Sequence, residues 1–312
     1  MSFSVAVYHR SVPNAKNSEK VDVLKFFSEG ATTAGDRVID VVDKGFQRVD
    51  VAVIQGWSTV DVNTKDHLDL RNRVIRTQLK NNRYVVGIDS NMFLYAVPGN
   101  PLHYLRYSFN SIFPDTGIYC DTTIDPDRWR KVSRDHNIHL KDYRTNGNHI
   151  LLLLQRNGGW SMGSFDVQDW CLKTIGQIRQ YSDRPIVVRA HPGDKGALTY
   201  LDQKTGKCRI PWSEKLTLSS NALLTQDLQN CWAAVNHNSS PVVGAAIEGY
   251  PIFVTDPVKS QCREIANTNF SLIENPGLPN RQQWAERLSM FHWKFDELRS
   301  GEAWTHMRQF IH

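Results

Sequence analysis

Three short segments of this sequence combine glycine, hydroxyl and cationic side chains in a way that suits anion binding. They span Gln155–Trp160, Arg189–Lys195 and Asn236–Pro241. Glycine lets the backbone approach a ligand, Arg and Lys pair with phosphate, and imidazole can donate a hydrogen bond to it. Small hydroxyl residues before a helix add free backbone N–H groups. The residues predicted to bind the ligand are Arg156, Asn157, Gly158, Arg189, His191, Pro192, Lys195, Asn238, Ser239 and Ser240.

Each segment also has an ordinary structural interpretation. Gly158 and Gly159 would form a turn beside a solvated arginine, His191 would cap a turn, and Ser239 or Ser240 would cap a helix. A ligand is favoured because all three segments follow predicted strands of one parallel sheet, where their tips could converge. The sequence contains no Walker-type phosphate loop and no Gly-x-Gly-x-x-Gly after its first strand. A P-loop nucleotidase and a nicotinamide dehydrogenase are therefore disfavoured.

These segments need a scaffold of alternating strands and helices, and both halves of the chain have that pattern. Short β-branched runs separated by amphipathic stretches indicate parallel sheets. The predicted strands include 3–8, 37–42, 49–55, 84–88, 149–154, 185–189, 216–219, 232–235 and 251–254, and the predicted helices include 21–34, 67–79, 166–181, 222–231 and 242–248. The stretch from Pro98 to Asn148 is predicted to be irregular.

The sequence therefore predicts an α/β fold of two Rossmann-like parallel-sheet domains that face a cleft. We expect the join near residue 147, so that residues 1–147 and 148–280 form the two domains. A C-terminal helix is predicted over residues 281–312.

Composition narrows the class of protein further. The 312 residues are 40% hydrophobic and 22% charged, with a net charge of +5, which is typical of a folded protein. The longest apolar run, Ile150 to Leu154, is far shorter than the roughly 18 residues that span a bilayer. The N-terminus lacks the pattern of a signal peptide, and the five cysteines form no C-x-x-C pair. We expect a cytoplasmic protein with no membrane segment; for a protein encoded by a virus this would be the host cytoplasm.

The run from Asn238 to Pro251 resembles the donor-binding helix of GT-B glycosyltransferases. His191-Pro192 together with Ser239-Ser240 is similar to the His-Pro and Ser-Ser pairs of bacterial sialyltransferases and capsule-type transferases. The resemblance implies that His191 contacts the donor nucleotide or its phosphate and that the two serines bind phosphate. It also implies a glycosyltransferase whose donor is a nucleotide-sugar, with a UDP-sugar favoured over a CMP-sugar. In that case the ten ligand-binding residues bind the donor, residues 148–280 form the donor-binding domain and residues 1–147 bind the acceptor. In this fold the C-terminal helix, here over residues 281–312, crosses back to the first domain.

One position departs from the GT-B pattern. Many of these enzymes have a Glu five residues before the glycine of Gly-x-Pro, where it binds the donor ribose, and this sequence has Gly244 there. A non-catalytic nucleotide-sugar-binding protein therefore remains an alternative. No tightly bound metal is expected, since Asp-x-Asp is absent and the His136-x-x-His139 pair has no third obvious ligand.

Transfer to a hydroxyl group needs a general base on the acceptor side. The first candidate is Asp89, which follows the predicted strand 84–88 and has Ser90 and Asn91 as neighbours. His9, at the end of the first strand, and Asp115 are the other two candidates. In the alternative interpretation Asp89 caps the segment that follows it.

The acceptor itself is less constrained by the sequence. Basic and aromatic residues alternate in the first half, and phosphates and flipped bases require both types. The chain also resembles phage-encoded proteins in Val5–Arg10 and Leu153–Met162, and T-even phage enzymes of this fold glycosylate hydroxymethylated bases. We therefore predict DNA with a 5-hydroxymethylated pyrimidine as the acceptor. A capsule or lipopolysaccharide sugar is the alternative. The predicted DNA-contacting residues are Arg71, Arg106, Tyr107, Arg128, Trp129 and Arg130.

Overall fold

The computed structural model describes residues 2–12, 18–58, 65–93, 104–163 and 165–312, without the side chains of 18–20 and 160. The chain divides into two compact units. The first unit comprises Met1–Asn91, Gly99–His136 and Ala285–His312, and the second comprises Met92–Pro98 and Asn137–Trp284.

The chain enters the second unit at Asn137 rather than at the predicted residue 147. The reason is that the intervening segment is hydrogen-bonded to the second unit. The backbone N–H of Lys141 donates to Ile247 O at 2.9 Å, and that of Arg144 donates to Gly249 O at 2.8 Å.

The first unit contains a mixed sheet covered by helices. Its strands are β1 (Ser4–Tyr8), β2 (Arg37–Val41), β3 (Val51–Gln55), β4 (Tyr84–Asp89), β5 (Leu105–Phe109) and β11 (His292–Trp293). Its helices are α1 (Ser18–Thr33), α2 (Asp66–Lys80), α3 (Pro126–His136), α9 (Phe295–Arg299) and α10 (Glu302–Met307). The helix α8 (Gln282–Ser289) begins in the second unit and ends in the first.

Strand order in the first sheet is β11-β5-β4-β3-β1-β2. The strands β1 to β4 are mutually parallel, whereas β5 runs antiparallel to β4. The order of the parallel strands reverses between β1 and β3, so the connections that follow these two strands leave in opposite directions. Such a switch point is where open α/β sheets bind ligands.

Two predictions for this unit were wrong. The stretch from 104 to 136 is not irregular, since it contains β5 and α3. Arg106 on β5 and Arg128 on α3 interrupt the apolar periodicity of this stretch, although both side chains are buried. The C-terminal segment is also not one helix. It breaks at β11, and again at Gly301, whose φ of +84° belongs to the left-handed region that ends helices.

The second unit contains a parallel sheet of the order β10-β9-β6-β7-β8. Its strands are β6 (His149–Leu153), β7 (Ile186–Arg189), β8 (Leu216–Ser219), β9 (Cys231–Asn236) and β10 (Ile252–Val254), and its helices are α4 (Val167–Arg179), α5 (Ala197–Leu201), α6 (Leu224–Asp227) and α7 (Pro241–Ile247). The strand order reverses between β6 and β9. The predicted α/β class with two Rossmann-like sheets is confirmed.

Each unit has its own apolar core. In the first unit Val5, Val53 and Phe27 are at most 1% exposed, and in the second Ile150, Leu152 and Val235 are fully buried. Among the described helices, none combines the length and the apolar character needed to cross a membrane.

The position of Gly249, directly after Glu248 at the end of α7, leaves no room for a side chain. Its φ is +88°, and a Cβ atom there would lie 2.1 Å from Asp142 O. Gly206 has a similar φ of +68° but nothing within 4 Å of such a Cβ. In urea denaturation we expect Gly206→Ala to cost about 1–2 kcal/mol. Gly249→Ala should cost about 1–3 kcal/mol more, because it adds a steric clash. Equal losses in the two variants would show that the approach to Asp142 is unimportant.

Candidate functional site

The loops of interest leave the carboxyl edge of the second sheet beside its switch point. The neighbouring strands β6 and β9 pair in register, with Leu153 opposite Asn236. Because their following loops diverge, a ligand can reach the strand ends between them. The sequence-predicted segments that follow β6, β7 and β9 all lie at this edge.

Asp194 connects the loops that follow β6 and β7. Its carboxylate accepts hydrogen bonds from the backbone N–H of Asn157 at 2.9 Å, the backbone N–H of Gly196 at 3.1 Å and the Tyr200 hydroxyl at 2.6 Å. Burial acts to raise the pKa of Asp194, but these hydrogen bonds and the charge of Arg156 outweigh it, so the pKa is lowered. Asp194 therefore stays ionised and holds the Asn157 and His191 loops together.

A second chain of hydrogen bonds connects the loops that follow β6, β9 and β10. The buried Gln155 amide donates to Asn238 Oδ1 at 2.9 Å and to Ser161 Oγ at 2.8 Å. Asn238 Nδ2 in turn donates to Asp256 Oδ2 at 2.9 Å. The predicted convergence of loops thus exists in the structure, and it includes Thr255-Asp256 after β10, which sequence reasoning missed. Their position directly after a predicted strand was the available signal.

His191 is held in one tautomer. The backbone N–H of Gly193 donates to His191 Nδ1 at 3.0 Å, so the ring proton of the neutral imidazole is on Nε2. Burial lowers the pKa of His191; Asp194 acts against this, and Arg156 and Arg189 add to it. The side chain therefore offers a neutral N–H donor at neutral pH.

Two exposed cationic residues, an exposed proline and an exposed glycine lie in the same loop as His191 or in the loop after β6. Arg156 and Lys195 are exposed, as are Pro192 and Gly158. Gly158 has a φ of +66°, which a residue with a side chain adopts only with strain. The arrangement provides two positive charges and one N–H donor at the same sheet edge, a combination that suits phosphate oxygens.

Arg189 does not belong to this group. Its guanidinium forms an ion pair with Asp227 and donates to Ala222 O at 2.6 Å. Ser219 Oγ donates to the same Asp227 carboxylate at 2.8 Å. The predicted contact of Arg189 with the donor gains no support, because a partly buried carboxylate already pairs with the guanidinium.

The serines before α7 do not cap it in the usual way. Ser240 occupies the N-cap position without a side-chain capping bond. Ser239 Oγ accepts a hydrogen bond from Asn236 Nδ2 at 2.8 Å. Both serines are half-buried. Ordinary N-capping therefore does not account for these two hydroxyl groups.

Two buried carbonyl oxygens at the same edge lack a hydrogen-bond partner among the described residues. They are Gln155 Oε1 and Asn236 Oδ1, in side chains that are 3% and 0% exposed. Buried polar atoms are normally satisfied, so each exception calls for an explanation, such as a group that binds there. Both atoms are acceptors, so a group that satisfied them would carry hydroxyl or N–H donors.

His237 and Glu248 lie at opposite edges of the second sheet. His237 Nδ1 lies 2.7 Å from Thr255 Oγ1, and burial lowers the pKa of His237 although Asp256 opposes this. Glu248 is ion-paired with Lys141 at 2.5 Å. Since Glu248 follows the last turn of α7, it lies at the amino edge of the sheet and does not replace the Glu missing at Gly244.

The three candidate bases are all in the first unit. Asp89, the last residue of β4, is ion-paired with the buried Arg106 on β5. Asp115 is exposed and follows β5; since β5 is antiparallel, Asp115 lies at the opposite edge from Asp89. His9 follows β1 at the carboxyl edge, and its Nε2 lies 2.6 Å from Asp40 Oδ1. The structure therefore does not bring these candidates together.

The predicted DNA-contacting residues are mostly inside the first unit. Five of them are at most 8% exposed: Arg71, Arg106, Tyr107, Arg128 and Trp129. Arg130 is the exposed member of the set, and it pairs with Asp127. Side chains buried to this degree expose little surface to a phosphate backbone, so the predicted DNA contacts gain no support from the structure.

The buried arginines instead hold segments of the first unit in place. Arg71 Nε donates to Ser11 O at 2.8 Å and its Nη2 donates to Gln55 Oε1 at 3.3 Å. Burial lowers the pKa of Arg71 to about 10, against the opposing effect of Asp89. Arg128 donates to both carboxylate oxygens of Glu297.

Within the described ranges, no cluster of three or more His, Cys, Asp or Glu side chains could hold a metal ion. His136, from the H-x-x-H pair, is buried. Its Nδ1 lies 2.8 Å from Val132 O and its Nε2 lies 2.8 Å from Asn91 Nδ2. Both ring nitrogens are thus already used.

Solved structures provide the comparison for the whole chain. The KpsC beta Kdo 2,7 transferase of Thermosulfurimonas dismutans aligns with 99% of this chain and 100% of its own, at 10% identity and a TM-score of 0.50. The KpsC beta Kdo 2,4 transferase of the same organism aligns with 93% of this chain and 98% of its own, at 13% identity and a TM-score of 0.49. A UDP-GlcNAc 2-epimerase from Methanocaldococcus jannaschii covers 99% and 100%, at 10% identity and a TM-score of 0.33.

No protein-family profile and no curated protein sequence matches the chain. At these identities the structural likeness establishes the fold and nothing finer. Both sheets have their strand order reversed at a switch point, as expected of Rossmann-like units. The chain has the two-unit α/β architecture of the GT-B fold.

Proposed function

We propose that this protein is a glycosyltransferase that uses a nucleotide-sugar, and that its second unit binds this donor. The observation that carries the proposal is the convergence of the loops after β6, β7 and β9, fixed by Asp194 and Gln155. An N–H donor from His191 and the charges of Arg156 and Lys195 accompany these loops.

The chemistry of glycosyl transfer supports this use of the loops. Negative charge develops on the phosphate as its bond to the sugar breaks, and pre-positioned donors stabilise that charge. His191 Nε2–H, Arg156 and Lys195 are suited to this role. Because they offer more donor capacity than a single phosphate requires, we favour a diphosphate donor such as a UDP-sugar over a CMP-sugar. The acceptor atoms Gln155 Oε1 and Asn236 Oδ1 suit the hydroxyl groups of the same ligand.

For the acceptor we propose a saccharide hydroxyl rather than a pyrimidine in DNA. Burial of five of the six residues assigned to DNA removes the main argument for a duplex. Sugar transfer also agrees with the activity named for the KpsC beta Kdo 2,7 transferase that shares the fold.

The proposal is tested first by thermal shift with UDP, CMP and their sugars. A ligand at about 100 times its Kd should stabilise the protein by about 2.7 kcal/mol. Ligands that stabilise are then assayed for sugar transfer to oligosaccharides and to hydroxymethylated DNA. Transfer to an oligosaccharide is the expected result. Binding without turnover on any acceptor would instead indicate a non-catalytic binding protein.

The DNA alternative has its own measurement, which is retention on a duplex column at increasing salt. A phosphate-binding surface would give affinity that falls steeply with salt concentration. We expect no specific, salt-dependent retention. Transfer to hydroxymethylated DNA, together with such retention, would overturn the saccharide assignment while leaving the donor site in place.

A further inference from the structure

A pocket lies at the amino edge of the second sheet, at the opposite end of the strands from the His191 loop. Its volume is about 500 Å³, within the roughly 300–1,000 Å³ typical of small-molecule sites. Among its lining residues, Arg144 precedes β6, Asn230 precedes β9 and Tyr250 precedes β10. These strands are parallel neighbours, so their amino ends share one edge. Since β9 has six residues, about 17 Å separates the two edges, and the pocket is distinct from the proposed donor site.

Arg144 is held at one end of its guanidinium. Its Nε donates to Glu248 O at 3.1 Å, and its guanidinium carbon lies 4.6 Å from the centre of the Tyr250 ring. The two Nη atoms form no hydrogen bond within the described part of the chain, although Nη2 lies 3.8 Å from Glu248 Oε2. A guanidinium fixed in this way offers a planar pair of N–H donors that matches a carboxylate.

The charges beside the pocket favour a ligand with one negative charge. Glu248 is paired with Lys141 at 2.5 Å and with Arg144 at 3.8 Å, so the three groups together carry one positive charge. A carboxylate would balance this charge. A phosphate monoester, at about −1.5 to −2, would leave excess negative charge beside Glu248. The ammonium group of an amino acid would meet the two cations, so an amino acid is disfavoured.

The rest of the lining suits the hydroxyl groups and the C–H face of a sugar. Gln229 and Asn230 are exposed, and Thr225 is half-buried. Side-chain amides both donate and accept hydrogen bonds, as hydroxyl groups require. Leu228, which is 2% exposed, adds an apolar wall.

We propose that this pocket binds a saccharide that carries a carboxylate group. Arg144 binds the carboxylate, while Gln229 and Asn230 bind hydroxyl groups. This inference goes beyond the proposed function, because none of these residues belongs to the donor site and the pocket can be tested without sugar transfer.

Isothermal titration of the full chain with a disaccharide that contains glucuronate tests the proposal. The neutral disaccharide with glucose in that position is the comparison. We expect the acidic disaccharide to bind at least about 10-fold more tightly, because a hydrogen bond to a charged group is stronger than one to a neutral group. Neither UDP nor inorganic phosphate should displace it, since the donor site lies at the other edge and the pocket suits a single charge.

Two variants and a matched control locate the binding. Arg144→Lys keeps the charge but loses the planar pair of donors, so the affinity should fall by about 10-fold or more. Asn230 has a φ of +57°, which glycine adopts readily. Asn230→Gly therefore removes only the amide and should weaken binding by about 3- to 10-fold. Arg184→Lys is the control, since Arg184 stacks on Trp232 at 4.1 Å outside the pocket, and it should bind like the unmodified protein.

The outcomes separate this inference from the proposed function. It is overturned if the acidic disaccharide does not bind, if the neutral one binds equally well, or if UDP or phosphate displaces it. Unchanged affinity in Asn230→Gly overturns it as well, and this variant decides the matter if Arg144→Lys has a lower Tm. Absence of UDP binding and of sugar transfer would instead refute the proposed function and leave this site in place.

Discussion

Replacing Glu297 with Gln is expected to lower the free energy of unfolding by about 3–5 kcal/mol. Glu297 is 3% exposed and Arg128 is 6% exposed. The guanidinium of Arg128 donates to both carboxylate oxygens and also lies 3.8 Å from the centre of the Trp293 ring. Lys131 Nζ adds a second cation 2.5 Å from the same carboxylate. Removing the negative charge leaves the buried guanidinium of Arg128 without its charge partner.

A matched control is available on the surface of the same unit. Glu29 and Arg299 form an ion pair at 2.8 Å, with side chains that are 36% and 59% exposed. Exposed pairs contribute at most about 1 kcal/mol, so Glu29→Gln should cost no more than that in urea denaturation. A loss for Glu297→Gln as small as that for Glu29→Gln would contradict the importance of the buried pair.

The same substitution should change the response to acid. Burial raises the pKa of Glu297, but Arg128, Lys131 and the Lys294 backbone N–H outweigh it, so the folded-state pKa is below the reference value of 4.5. A group with a lowered pKa stabilises the fold above its unfolded pKa and loses that contribution as pH falls through the folded value. The wild-type protein should therefore lose more stability than Glu297→Gln below about pH 4.5.

The second large effect is expected at His191. His191→Ala should weaken nucleotide-sugar binding by about 10- to 100-fold, because it removes one hydrogen bond to a charged phosphate, which contributes about 1.5–3 kcal/mol. Isothermal titration with UDP measures this change. His191→Gln retains an N–H donor on a side chain of similar reach, so it should recover part of the affinity.

The control for His191 is His139→Ala, since His139 is an exposed histidine of the same unit. It should bind UDP like the wild-type protein, and the Tm of all three variants without ligand should remain similar. If His191→Ala binds UDP with unchanged affinity, the donor phosphate does not contact this imidazole. The donor site would then have to be sought elsewhere in the second unit.

The sequence alone predicted all five strands of the second sheet and β1 to β4 of the first, but not β5 or β11. Apolar runs such as Ile150–Leu154 must be buried on both faces, so they are visible without any structure. The loops with His191 and Ser239 were recognisable because polar residues directly after such a strand must lie at the sheet edge. The same reasoning placed His9 at the end of β1.

Only the tertiary structure decided which polar side chains could still contact a ligand. Arg71, Arg106, Arg128 and Arg189 carry the same charge in the sequence as Arg156 does, yet each of the four has a partner distant along the chain. Asp194 connects two loops because folding placed its carboxylate beside the backbone N–H of Asn157. An ion pair between residues far apart in sequence leaves no periodic pattern, since it depends on strand order and register. Buried, paired arginines could therefore be distinguished from exposed ones only in the folded chain.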